Sequence, residues 1–192
     1  GSFLLMPAAA SASTFVVTRL GVINMYGATI TMDTTRVAAL ELLKEEDSLA
    51  AGRLYTEGAN ISPPGPDGIN GNVINNGVIE FGGVLHSLMI GLVFPGPTGG
   101  NYTQGADGTL AMRLDNGTGG TGVSDVLMVG DAAGLDGTLD LTGLSSLTDP
   151  QTWTLIFQLN GISGNFSTII YPDSANTWAN ALNINGNYEV SK

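Results

Sequence analysis

The sequence predicts an all-β chain wound as a solenoid, and three observations predict it. Short runs of β-branched and aromatic residues recur along its whole length, bounded by Gly, Pro, Asn and Asp. Asn-Gly dipeptides begin at 70, 76, 116, 160 and 185 and Asp-Gly at 67, 107 and 136; both supply positive φ cheaply and so favour tight turns between strands. Short phrases also repeat with loops between them, as expected when each coil buries its inward residues against the next. A β-sandwich, which also uses many short strands separated by turns, is the competing fold.

Taken in order, the first strand-like runs are Thr14–Thr18, Gly21–Tyr26 and Ala28–Met32. Next come Val73-Ile74, Gly77–Phe81, Leu85–Val93, Thr109–Leu114 and Val126–Val129. Gly137–Leu141, Trp153–Leu159, Phe166–Tyr171 and Ala181–Val190 complete the series. The segments Pro63–Gly68 and Pro95–Pro97 interrupt it as longer loops. One stretch conflicts with its surroundings. Thr34–Asp47 is rich in helix formers, with Asp33 as a candidate N-cap and Val37, Leu40 and Leu43 at helical spacing. Yet Leu40, Leu42, Leu49, Leu54 and Tyr55 keep the pace of the neighbouring short strands, and propensity yields to tertiary context. β-rungs are the favoured reading there.

The internal echoes are specific. Ala106-Asp107-Gly108-Thr109-Leu110 is matched by Leu135-Asp136-Gly137-Thr138-Leu139, and Gly21-Val22-Ile23 by Gly77-Val78-Ile79.

Composition excludes several functions. The 192 residues carry 6 basic and 17 acidic side chains, a formal charge of −11, with only 12% of residues charged. There is no Cys and one His, which rules out a thiolate nucleophile, a disulfide framework and a Cys-based zinc site. Six scattered cations make no basic face for nucleic acid. At 43% hydrophobic the chain can bury a core, so its acidity does not mark it as disordered. No apolar run approaches the roughly 20 residues of a membrane-spanning helix.

Residues Phe3–Ala12 form an apolar run ending in Ala10-Ser11-Ala12. They read either as the remnant of a secretory signal or as a mature terminus. In the second case Phe3, Leu4, Leu5 and Met6 form a self-assembly arm, able to add as a strand to the sheet edge of a neighbouring subunit.

Gly71-Asn72-Val73-Ile74-Asn75-Asn76-Gly77-Val78-Ile79 resembles a rung of secreted bacterial β-helix proteins. Gly100-Asn101-Tyr102-Thr103-Gln104, Gly108-Thr109-Leu110, Ser124–Val129 and Leu135–Leu139 follow in the order seen in autotransporter-passenger-like proteins. Trp153–Ile156 and Gly161–Phe166 resemble their closing segment. The resemblance covers roughly residues 68–192. It implies a right-handed parallel β-helix with a C-terminal β cap, secreted and exposed at the cell surface. It carries no activity with it, because such families share a scaffold more than a chemistry. The organisation expected is an arm or signal remnant at 1–13, a solenoid body at 14–150 and capping strands at 151–192.

The chemistry-bearing residues point away from catalysis. His86 lies among apolar residues in Gly83–Met89, and no Gly-x-Ser-x-Gly elbow supplies a nucleophile. Gly117–Gly122 lacks the Lys-Ser/Thr ending of a phosphate-binding loop, which leaves a turn. Asp107, Asp125, Asp131, Asp136 and Asp140 raise calcium or a glycosidase pair, but the reading favoured for them is turns and solvated faces. A uronate lyase needs clustered cations, whereas Arg19, Arg36, Arg53 and Arg113 lie far apart in sequence. Sequons occur at Asn60, Asn101, Asn116 and Asn165; Asn and Thr richness makes chance matches common, so glycosylation, which would fit an extracellular surface, is the minority reading.

The expectation is therefore a non-enzymatic extracellular structural protein with no catalytic, cofactor-binding or metal site. It would associate with itself into a surface filament, sheet or matrix. The alternative is a cell-surface adhesin or glycan-binding module whose exposed aromatics are drawn from Tyr26, Tyr55, Tyr102 and Tyr171.

Overall fold

The computed structural model describes residues 2–5, 13–17, 22–25, 29–32, 37–43, 52–56, 67–91, 99–173, 178–182 and 186–192. Met6, Tyr26, Asn60 and the Pro-rich segments 63–66 and 95–97 lie outside them. The described residues form strands and turns without helix.

The strands fall into triplets. The first are β1 (Ser2–Leu5), β2 (Ser13–Val17), β3 (Val22–Met25), then β4 (Thr29–Met32), β5 (Val37–Leu42), β6 (Arg53–Thr56). Next are β7 (Asp67–Asn70), β8 (Asn72–Asn75), β9 (Val78–Phe81), and β10 (Ser87–Ile90), β11 (Tyr102–Gln104), β12 (Thr109–Thr118). After the inserted β13 (Thr121–Ser124) come β14 (Val126–Val129), β15 (Ala133–Leu135), β16 (Thr138–Gly143), and β17 (Thr152–Gln158), β18 (Ile162–Gly164), β19 (Thr168–Ile170). β20 (Ala179–Leu182) and β21 (Tyr188–Ser191) end the chain.

Each strand pairs in parallel with its counterpart in the next triplet. The three ladders are β1-β4-β7-β10-β14-β17, β2-β5-β8-β11-β15-β18 and β3-β6-β9-β12-β16-β19. This is a parallel β-solenoid with three faces. Two features are antiparallel: β13 folds back on β12, and β21 runs along β17 with β20 beside it. The parallel pairing begins at Ser2 and continues past Thr152 through β19.

Burial follows the register. Strands such as β8, β9, β10 and β14 alternate between half-buried and buried residues, as the two-residue period of a strand requires. The buried positions stack into columns: Ile30, Ile69, Ile90 and Val129 on the first face, Leu40, Val73, Tyr102 and Ala133 on the second, Leu54, Ile79, Leu110 and Leu139 on the third. All twelve are 0% exposed. Each aliphatic member contributes about 1.5–3 kcal/mol by leaving water, and the columns join into one continuous core.

The sequence echoes are stacked rungs. Thr109-Leu110 lies in register with Thr138-Leu139, and Val22-Ile23 with Arg53-Leu54 and then Val78-Ile79, two coils on. The ambiguous segment is strand at Val37–Leu42. Leu40 and Leu42 are buried with Glu41 partly exposed between them, and Leu40 is held between Phe15 and Val73 in register. Strand pairing on both sides outweighs the helix propensity of its residues.

Not every turn dipeptide turns. Asp67-Gly68 opens β7, and Asn116-Gly117 lies within β12. Asp67 is fully buried and shares a register position with Leu88, so its carboxylate is accommodated by partners inside the solenoid.

Buried amides stitch the coils at one interior corner. Asn75 Nδ2 donates to Gln104 Oε1 at 3.1 Å and to the carbonyl of Thr109 at 3.0 Å. Gln104 Nε2 donates onward to the carbonyl of Thr138 at 2.8 Å. Tyr102 closes the group with its hydroxyl on Gln104 Oε1, and burial pushes its phenol far above the ordinary value although the Asn75 hydrogen bond opposes this.

Candidate functional site

The ionisable side chains that the fold gathers together lie where the first and third faces meet. Thr56 ends β6, Asp67 opens β7, His86 immediately precedes β10, Arg113 lies on β12 and Asp125 stands between β13 and β14. Thr56, Asp67 and Asp125 are 0% exposed and His86 is 6% exposed. A cluster of this kind persists in a core only if every polar atom is answered.

The answers can be traced. The Thr56 hydroxyl meets Asp67 Oδ2 and lies 2.8 Å from His86 Nε2. His86 Nδ1 is 2.9 Å from the carbonyl oxygen of Val84, which can only accept, so Nδ1 carries a hydrogen. The single hydroxyl hydrogen of Thr56 serves Asp67 or His86, not both. The His86 ring packs against Phe81 with centroids 5.2 Å apart.

Asp125 forms the second half. Its Oδ2 accepts from Arg113 Nε at 2.8 Å and from the Arg113 backbone N–H at 2.9 Å. Its Oδ1 accepts from Arg113 Nη2 at 2.8 Å and from the His86 backbone N–H at 3.2 Å. Arg113 also donates to the carbonyl oxygens of Gly83 and Val84, which fixes the loop carrying His86. The carboxylates of Asp67 and Asp125 lie 3.8 and 3.9 Å from the two ring nitrogens of His86.

The arrangement contains the residue types of a hydroxyl–imidazole–carboxylate triad but not its access. The Thr56 oxygen is wholly buried and occupied by both neighbours, whereas a nucleophile needs an open approach. On the outer side, a groove of about 430 Å3 lined by Leu85, Ser87, Met89, Val123 and Met128 reaches His86. No group of three or more His, Asp or Glu suited to a metal occurs among the described residues.

Sequence reasoning missed this network. The expectation that most of the five aspartates sit on turns or solvated faces does not extend to Asp125, which is buried and ion-paired to Arg113. Residues 56, 67, 86, 113 and 125 come from four successive coils, and nothing local in the sequence links them.

The other expected residues are dispersed. Phe3, Leu4 and Leu5 lie on β1 in register with Ile30, Thr31 and Met32. Of the tyrosines from which a surface row would be drawn, Tyr26 lies outside the described residues, Tyr102 is in the core at 0% exposure, and the Tyr55 hydroxyl packs over Gly82. Tyr171 stacks on Trp178, centroids 5.0 Å apart at 17°, and borders a second cavity of about 490 Å3 beside Asp173 and Lys192. Of the sequons, Asn116 and Asn165 are engaged with neighbouring coils or strands, and Asn101 bonds Asn72 on an exposed corner. No helix among the described residues is long and apolar enough to cross a membrane. No protein-family model, curated protein or solved structure matches the chain.

Proposed function

We propose that the chain is a non-catalytic structural protein of the cell exterior that associates with itself into a filament, sheet or matrix. The observation that carries this reading is the repeat of three parallel ladders, in which coil adds to coil by the same backbone pairing from β1 through β19. Strand stacking of this kind is also a contact by which separate copies add to one another. A head-to-tail contact that does not close a ring propagates as a fibre. The expected arm residues Phe3–Leu5 lie on β1, within the first of those ladders. The closed hydrogen bonding of the Thr56–His86–Asp125 cluster supports a holding role over a reactive one. The resemblance to autotransporter-passenger-like rungs supports an extracellular location.

Sedimentation and electron microscopy of the 192-residue chain test it. Concentration-dependent oligomers or fibres are expected. Added salt should strengthen them, because screening relieves repulsion between copies of charge −11. Deleting residues 1–12 should change the assembly. A monodisperse monomer at every concentration and salt level overturns the reading.

A further inference from the structure

We propose that the cavity beside Tyr171 and Lys192 is a binding site for a neutral, polyhydroxylated ligand of the size of one or two hexose rings. It is lined by the apolar Leu147, by Tyr171, by the hydroxyl-bearing Thr142 and Ser146 and by the Asp173–Lys192 pair. At about 490 Å3 it falls within the roughly 300–1,000 Å3 usual for small-molecule sites.

Charge selects the class. Lys192 Nζ lies 2.8 Å from Asp173 Oδ2 and donates to the carbonyl oxygen of Leu147 at 2.9 Å, with the side chain only 7% exposed. The ammonium is thus neutralised in place. An anionic ligand would meet a chain of charge −11 with the Lys192 charge already offset, and a cationic one would have to displace Lys192 from Asp173. A neutral ligand meets neither obstacle.

Hydrogen bonding selects the functional groups. An ammonium has three N–H donors, and two are taken. The third faces a choice between the Trp178 ring, 5.8 Å from Nζ and near the limit for a cation–π contact, and a ligand oxygen. The hydroxyls of Tyr171, Thr142 and Ser146 both donate and accept, as a polyol does. The Trp178 stack, itself backed by Trp153 at 5.6 Å, fixes the Tyr171 ring in advance. A rigid aromatic beside alternating donors and acceptors suits the apolar face and hydroxyl edge of a sugar ring. The site is separate from the strand stacking invoked for self-association, so either can fail alone.

The test uses the whole chain with the methyl glycosides of glucose, galactose and mannose, and with glucuronic acid and glucosamine as charged controls. Saturation-transfer NMR and calorimetry should show saturable binding of at least one neutral glycoside, in the millimolar range. Ser146→Arg, at an exposed position that fills the cavity, should abolish it. Tyr171→Phe should weaken it about tenfold by removing one hydrogen-bonding hydroxyl. Unchanged circular dichroism would show that both variants are folded. The proposal is overturned if no neutral glycoside saturates, if a charged control binds as tightly, or if Ser146→Arg leaves binding intact.

Discussion

Arg113 and Asp125 close the β12–β13 hairpin through a two-pronged ion pair, Nε to Oδ2 and Nη2 to Oδ1, each at 2.8 Å. The backbone reinforces it, with the Asp125 N–H on the Arg113 carbonyl at 3.0 Å. Thus the one place where β13 is inserted between the third strand of a coil and the first strand of the next is held by charge as well as by pairing.

That pair should be costly to break from one side. Arg113→Met leaves the fully buried Asp125 carboxylate without its cation, and loss of one partner of a buried ion pair costs about 3–5 kcal/mol. Arg113→Lys should cost less, because an ammonium can reach one carboxylate oxygen but cannot supply the two-pronged contact. Urea unfolding of the two variants should rank them in that order. Equal, negligible losses would mean that the pair adds nothing beyond the backbone bonds.

Thr56→Val removes one oxygen while preserving shape, and it interrupts the chain between His86 Nε2 and Asp67. Leaving a buried polar group without a partner costs about 1–3 kcal/mol, so a loss in that range is expected in thermal or chemical unfolding. Thr56→Ser should retain most of the stability. The His86 ring signals in NMR should move in the valine variant and not in the serine variant, which separates a lost hydrogen bond from a general packing defect.

The fold was more legible in the sequence than the polar cluster, and the reason is spacing. The Gly-Thr-Leu echo predicts stacking because Leu110 and Leu139 occupy the same column of the third face. The coils, however, differ in length. Ile30 pairs with Ile69 and Ile69 with Ile90, separations of 39 and 21 residues, so no single period runs through the amino-terminal half. The extra residues between strands leave the register undisturbed. The segment at Val37–Leu42 reads as helix by propensity and as strand by its neighbours, and the neighbours decide. Thr56, Asp67, His86, Arg113 and Asp125 escape any local pattern. A buried Asp and a turn Asp look alike in sequence, and only the coil register brings each to its partner.

Close packing between coils predicts a steric limit at Gly108. A Cβ there would lie 2.1 Å from the carbonyl oxygen of Asn75, a backbone atom of the preceding coil. The same corner binds the coils together, since Thr138 N donates to the Gly108 carbonyl at 2.8 Å. Gly108→Ala must therefore push two coils apart, and overpacking of this kind costs about 1–3 kcal/mol. Gly99→Ala is not a fair control because of its positive φ. Ala106→Gly, at an exposed position in the same turn, is one. The alanine variant at 108 should melt clearly below the glycine variant at 106. Equal melting temperatures would show that the corner can relax.

Acid should weaken the carboxyl-terminal coils in a specific way. The Ser145 hydroxyl donates to Asp115, and this bond, followed by the Asn116 backbone N–H, holds the Asp115 carboxyl below its ordinary 3.8. Asp136 is lowered likewise, first by the Ser167 hydroxyl and then by the Gly137 backbone N–H. Each serine belongs to the coil after its aspartate, so both bonds tie successive rungs. A carboxyl with a folded pKa below its unfolded one binds fewer protons in the folded chain. Its contribution is complete above the unfolded value and is lost as pH falls through the folded one. Stability measured by urea unfolding should therefore be flat from neutrality to about pH 5 with respect to these two groups, then decline below about pH 4. Ser145→Ala and Ser167→Ala should each lower stability at neutral pH and make the acid decline shallower, because the contribution that acid removes is then already gone. Both carboxylates are only half-buried, so the effect should also shrink in high salt. An acid decline as steep in the double serine variant as in the parent would assign it to other carboxylates.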